Sequence, residues 1–251
     1  LKLFDSVKLS TLFVDDGYNQ TKMISLKELA QLTGCTVHRI LRLETEIENL
    51  ILEEDSVSKI VYRLESLISD NPEVKGLKTI AAYRGGLSIQ EVTETKAQES
   101  LNYTKWMYKE RDGNLRLKGE EHHHYFLSQA FQIASQLNLP VQIHCGFGDA
   151  DLELHKSHPA LLTSHFKKEE YKNVKFVLLH CYPFVREAGY LASIFANVYF
   201  DLSLAPFLVS SKINELYLEA LGCAPFNKIL AGTDGHSVPE THFYSALMTR
   251  E

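Results

Sequence analysis

The sequence predicts an α/β chain built on a parallel sheet, and three observations lead there. Short apolar runs alternate with longer stretches of helical period along the chain. The last four of those runs are almost continuously apolar, as strands buried on both faces are. The length, 251 residues, is what a single barrel of strand–helix units occupies. Periodicity alone leaves a barrel and a doubly wound sheet both open. No Gly-x-Gly-x-x-Gly follows a strand, so the dinucleotide-binding version of the latter loses support.

The elements follow in order. Residues 10–15 (STLFVD) form the first strand and end on the turn signal Asp15-Asp16-Gly17. Residues 24–32 have helical period and stop at Gly34. Residues 37–43 (VHRILRL) are the second strand, and 47–69 read as one long helix. Residues 76–83 (GLKTIAAY) are the third strand, ending at Arg84-Gly85-Gly86. Residues 96–118 are polar and aperiodic, a surface excursion. A helix over 121–137 leads into the strand 140–145 (PVQIHC), closed by Gly146-Phe147-Gly148. A helix over 157–171 precedes the strand 174–181 (VKFVLLHC), which Pro183 stops. A helix over 187–195, a strand at 198–202 (VYFDL), a helix over 211–221 and a strand at 228–232 (KILAG) complete seven strands. No linker or repeat divides the chain, which is expected to be one domain.

Composition narrows the function. A net charge of −6 disfavours a nucleic-acid partner and an anionic membrane surface, since both need a basic face. No apolar run is long enough to span a bilayer. The four cysteines (Cys35, Cys145, Cys181 and Cys223) contain no C-x-x-C pair, and scattered thiols suit a reducing, cytoplasmic compartment. The expected partner is a small-molecule substrate, with a homo-oligomer left open.

Three strands end alike: His144 closes one, His180 the next, and Asp234 follows the last. In a barrel of this kind the C-terminal strand ends form the active-site mouth. Neutral imidazole and carboxylate are the usual ligands of a catalytic divalent ion. A lone His at a strand end is more often a hydrogen-bonded structural residue, so the argument rests on the joint pattern. Cys145 and Cys181 each follow a key His and alternate away from it, as buried fillers. Arg42 and Glu44 close the second strand and are expected to pair with each other.

The segments 142–151 (QIHCGFGDAD), 177–204 (VLLHCYPFVREAGYLASIFANVYFDLSL) and 231–240 (AGTDGHSVPE) closely resemble the amidohydrolase superfamily. The resemblance is to the branch fused to a glutamine-synthetase-like domain in FluG-type and nodulin-type proteins. AAYRGGL (81–87) and RILRLE (39–44) resemble its fourth and third strand regions, so the likeness covers nearly the whole chain. It implies a (β/α)₈ TIM barrel and a metal-dependent hydrolase. The family's first strand carries a His-x-His pair supplying two metal ligands. No such pair precedes Ser10, and seven strands stand where eight are expected, so the chain is read as starting after that strand and as ending within the last helix. The one His-x-His, within His122-His123-His124, falls on the helix before His144 and reads as a surface cluster.

The resemblance assigns roles. His144 and Asp234 would bind the metal, and Asp234 would also take a proton from the attacking water. His180 would polarise substrate or shuttle a proton. The third strand ends in Arg84, which cannot bridge two cations, so one divalent ion is favoured: Zn²⁺ by default, Mn²⁺ or Fe²⁺ as alternatives. Arg84 would hold a substrate carboxylate in its planar fork, or else form a structural ion pair. Tyr182, Arg186 and His236 are further substrate-binding candidates. The expected reaction is hydrolysis of a C–N bond in a small carboxylate-bearing compound, by analogy a γ-glutamyl one. A lyase or isomerase on the same scaffold, and a non-catalytic barrel module, are the alternatives.

Overall fold

The computed structural model describes residues 2–18, 23–111, 115–236 and 238–250. Seven parallel strands lie in sequential order in one sheet: β1 (Thr11–Asp15), β2 (Thr36–Arg42), β3 (Val74–Thr79), β4 (Pro140–Cys145), β5 (Lys175–His180), β6 (Val198–Asp201) and β7 (Ile229–Leu230). β1 and β7 do not pair. The sheet therefore curls into an open barrel with a gap beside β1, where Phe13 is 58% exposed. The fold class is the α/β barrel that the alternation and the resemblance implied.

Helices supply the connections. α1 (Lys2–Ser6) precedes β1, and α2 (Leu26–Thr33) joins β1 to β2. α2 is delimited by local chemistry: the Ser25 hydroxyl accepts from the Glu28 backbone N–H at 3.1 Å, and Gly34 turns left-handed (φ 73°) to end it. α3 (Leu43–Glu53) and α4 (Val57–Ser69) lead to β3. α4 buries Val57, Ile60, Leu64 and Ile68, one stripe at helical spacing. α5 (Glu94–Arg111) and α6 (Glu121–Leu137) lie between β3 and β4. α7 (Thr163–Phe166), α8 (Val185–Ile194), α9 (Ala205–Leu208) and α10 (Ile213–Cys223) serve the later strands, and α11 (Pro239–Met248) follows β7. α1 packs on α11, with the rings of Phe4 and His242 5.6 Å apart. No helix among the described residues is long and apolar enough to cross a membrane.

Several expectations change. The single helix over 47–69 is two, broken by extended residues at Glu54 and Ser56. Residues 157–171 form 3₁₀ turns around the four-residue α7 rather than one helix. The polar stretch over 96–118 is largely α5, whose exposed face carries no apolar stripe to betray it; residues 112–114 lie outside the described residues. The third strand stops at Thr79, and Ala81–Tyr83 turn as a 3₁₀ helix. His122 and His123 are buried, not a surface cluster, because α6 turns that face onto the barrel wall. Arg42 and Glu44 do not pair: Arg42 bonds Asp15, whereas Glu44 lies 3.4 Å from His123 and accepts from the Thr79 hydroxyl and the Ile80 N–H.

Candidate functional site

The C-terminal end of β4 must turn sharply to present His144. Gly146 does this at φ 76°, and a Cβ there would sit 2.2 Å from the Tyr182 carbonyl oxygen. Phe147 N–H donates to that same oxygen at 2.8 Å, tying the loop after β4 to the loop after β5. His180, Cys181, Leu204 and Asp234 all hold positive φ at or just beyond strand ends on this side of the sheet. Such conformations cost about 1–3 kcal/mol each outside glycine and persist only where surrounding bonds impose them.

For His180 the imposing bond is visible. Its backbone N–H donates to Asp201 Oδ1 at 2.8 Å, and the same oxygen accepts from Ser203 N–H at 3.1 Å and Ser203 Oγ at 2.7 Å. Since the Ser203 hydroxyl donates to Asp201, it accepts from His180 Nδ1 at 2.8 Å. Nδ1 thus carries the proton and Nε2 keeps a free lone pair. His144 is the mirror case: Nε2–H donates to the Phe147 carbonyl at 3.0 Å, leaving Nδ1 as the free lone pair. The two rings stand 4.6 Å apart. Burial and the Lys78 charge press His180 down to about 3. Burial, His180 and Lys78 hold His144 well below the usual imidazole range. Both are neutral at neutral pH, the state in which imidazole donates a lone pair.

Asp234 lies past β7, half-buried, and its carboxylate takes no hydrogen bond among the described residues. Its charge is felt by His144, Asp201 and Tyr83. Asp201 is fully buried, which pushes its carboxyl up to about 6 against the pull of its three donors. The Tyr83 ring lies tilted against His144, centroids 4.7 Å apart, and burial raises its hydroxyl to about 12, so the O–H keeps its proton. Gly148 permits this approach, because a Cβ there would lie 1.9 Å from the Tyr83 hydroxyl.

The other sequence candidates are placed differently. Arg84 faces Glu48 on α3, its Nε 3.6 Å from Oε1 and buried without a hydrogen bond among the described residues. Arg186 is exposed and pairs with Glu219 on α10. His236 is exposed, with Nδ1 on the Asp234 carbonyl at 3.1 Å. Tyr182 is half-buried, its ring 5.1 Å from Phe147. Sequence reasoning missed Asp201, Ser203, Tyr83 and Lys78. Two carried a signal: Asp201 ends an apolar strand as His144 does, and Lys78 is a lone charge inside an apolar run. Two shallow clefts of about 260 and 290 Å³ flank α3 and contain none of these residues.

A divalent ion is held by neutral nitrogen and anionic oxygen donors. Two adjacent neutral imidazoles with free lone pairs and one unbonded carboxylate suit it. Among the described residues, no three His, Cys, Asp or Glu side chains stand together as a ready-made ligand group.

Comparison with known proteins gives a consistent pattern. The amidohydrolase family profile matches residues 113–247. The protein FluG of Emericella nidulans is 34% identical over an alignment of 197 residues that covers 74% of this chain and 22% of FluG. A crystal structure from Lactobacillus casei ATCC 334, assigned as a metal-dependent hydrolase, superposes with a TM-score of 0.89 at 32% identity. The match covers 98% of this chain and 65% of that one. Uronate isomerase from Thermotoga maritima shares the fold at a TM-score of 0.64 and 15% identity, over 98% of this chain and 60% of its own. The chain thus spans less than two thirds of each relative's length.

Proposed function

Because the chain belongs to the amidohydrolase family, we propose that it forms the catalytic part of a hydrolase that cleaves the C–N bond of an amide in a small carboxylate-bearing substrate. The observation that carries this reading is the pair of neutral imidazoles, with their free lone pairs, beside the unbonded carboxylate of Asp234. His144, through Nδ1, and Asp234 would hold a divalent ion: Zn²⁺ by default for such donors, Mn²⁺ or Fe²⁺ as alternatives. A bound ion of this kind lowers the pKa of water towards 7. Asp234 accepts the water proton as general base, since no other donor engages its oxygens. His180 offers Nε2 to the substrate or its leaving nitrogen, held in one orientation by Ser203 and Asp201. Tyr83, protonated through the neutral range, can donate to a developing oxyanion from beside His144.

The test uses the full-length protein. Asp234→Asn should lower turnover by at least about 10²-fold and reduce bound metal, because it removes a base and weakens a ligand together. His180→Asn should lower turnover while metal analysis stays near the wild-type value. Loss of metal from His180→Asn would make His180 a ligand and sink the one-metal reading. Turnover in H₂¹⁸O should place the label in the product; a product without label would identify an isomerase or lyase instead.

A further inference from the structure

The turn that aims His144 is held by a serine eleven residues further on. The chain leaves β4 at Gly146 and returns to it at Ser157, the last residue of a 3₁₀ turn (Leu154–Ser157). Ser157 is fully buried and brackets Gly146 from both sides. Its backbone carbonyl accepts from the Gly146 N–H at 3.0 Å, and its hydroxyl donates to the Gly146 carbonyl at 2.7 Å. That carbonyl lies in the same planar peptide unit as the Phe147 N–H, which donates to the Tyr182 carbonyl at 2.8 Å. The unit is thus clamped at its oxygen by Ser157 and at its nitrogen by Tyr182. The next carbonyl along, that of Phe147, is the one that accepts from His144 Nε2 at 3.0 Å.

This chain of bonds reaches the ring chemistry. The acceptor at Nε2 fixes which nitrogen of a neutral imidazole carries the proton, and so which one keeps its lone pair. Without a carbonyl aimed at Nε2, the proton is free to move to Nδ1 and occupy the lone pair that a cation would take. The Ser157 hydroxyl has a local alternative, the Leu154 carbonyl at 2.8 Å, which would close the 3₁₀ turn alone. One proton serves both acceptors, and the Gly146 oxygen is the nearer. The loop it closes is also tied to the segment after β3, through Asp149 N–H to the Tyr83 hydroxyl at 3.2 Å and Leu87 N–H to the Lys156 carbonyl at 2.8 Å.

We propose that Ser157 is a positioning residue: acting through the Gly146–Phe147 peptide, it holds His144 in the tautomer with Nδ1 bare and thereby raises the affinity of the site for a divalent cation. The proposal rests on the reading of His144 as a metal ligand, but its test does not use turnover.

The experiment compares the full-length wild type with Ser157→Ala and Ser157→Cys, each ¹⁵N-labelled at histidine and stripped of metal, at neutral pH. His144→Gln identifies the His144 resonances by their loss. In the wild type Nε2 should be protonated and Nδ1 bare. In Ser157→Ala the proton should divide between the two nitrogens. Zn²⁺, titrated against a competing chelator, should bind Ser157→Ala about tenfold more weakly than the wild type, the low end of what loss of a ligand's outer partner costs. Ser157→Cys keeps a weaker donor of nearly the same shape and should fall between the two in both readouts. If Ser157→Ala does not fold, Ser157→Cys decides by the same directions. A His144 tautomer unchanged in the variants overturns the proposal, even if the urea midpoint drops, because Ser157 would then serve stability alone. So does a mixture of tautomers in the wild type. Ser157-dependent tautomer and Zn²⁺ affinity in a protein that cleaves no amide would leave this proposal standing and remove the hydrolase reading. Amide cleavage by a Ser157→Ala protein with the wild-type tautomer would do the reverse.

Discussion

Asp15 and Asp201 are the same residue type, both end a barrel strand, and both are deeply buried, yet their carboxyls move in opposite directions. Burial pushes Asp15 up, but Lys78 and Arg42 outweigh it and hold the group below its ordinary 3.8. Burial pushes Asp201 up to about 6, because its partners are neutral N–H and O–H donors and its nearest charge is the like charge of Asp234. Hydrogen bonds alone do not offset desolvation here, whereas two adjacent cations do. One side of the mouth is thus a cationic pole and the other an acidic one, with two neutral histidines between them.

The largest test removes the compensated carboxylate. Asp15→Ala leaves Arg42 and Lys78 buried together without a counter-charge and should cost about 3–5 kcal/mol in urea denaturation. A loss below 1 kcal/mol, roughly that of a surface pair, would mean that water already screens the group and would dissolve the contrast.

Next comes pH. A carboxyl raised in the folded state contributes stability that is present below its unfolded value of 3.8 and lost as pH rises through about 6. Measured against Asp201→Asn, the wild type should lose about 3 kcal/mol of unfolding free energy between roughly pH 4 and pH 7. Asp15 works the other way: its contribution is present above 3.8 and disappears as pH falls through its lowered value. Difference curves of the same sign for Asp201→Asn and Asp15→Asn would break the comparison.

The smallest effect belongs to a residue outside both poles. Arg186 is 80% exposed and pairs with Glu219 in solvent. Arg186→Ala should leave the urea midpoint and the turnover unchanged within error. A raised KM would restore it to the substrate site.

Legibility divides along the same line. The strands that end in His144 and His180 were readable because each is a short apolar run stopped by glycine or proline, and the structure keeps them almost to the residue. The runs near Lys78 and Lys228 were readable as strands but not in extent. β3 stops at Thr79, and β7 has only two residues, because only one side of it has a partner. Arg84, closing an apolar run, read equally as a substrate fork and as a structural ion pair. β3 ends early, Arg84 lies 3.6 Å from Glu48, and Lys78, six residues earlier, is buried where its charge is felt by both histidines. The histidines of α6 looked exposed because a helix before β4 lies on the outside of the barrel, yet His123 faces the buried Glu44 and His122 bonds Ser100.

The sequence by itself determined the alternation of strand and helix, the parallel order, and the ring nitrogens and carboxylates that close the strands. Those properties are local: apolar period, turn residues and strand-end chemistry are written within ten or twenty neighbouring positions. Only the tertiary structure decided which charges meet. Asp15 reaches Arg42 across 27 positions, Thr79 reaches Glu44 across 35, and Leu117 N–H reaches Glu48 across 69. Burial then converts those encounters into pKa shifts of either sign, since the energy of a buried charge depends on which charges lie within a few ångströms and not on its neighbours in the chain.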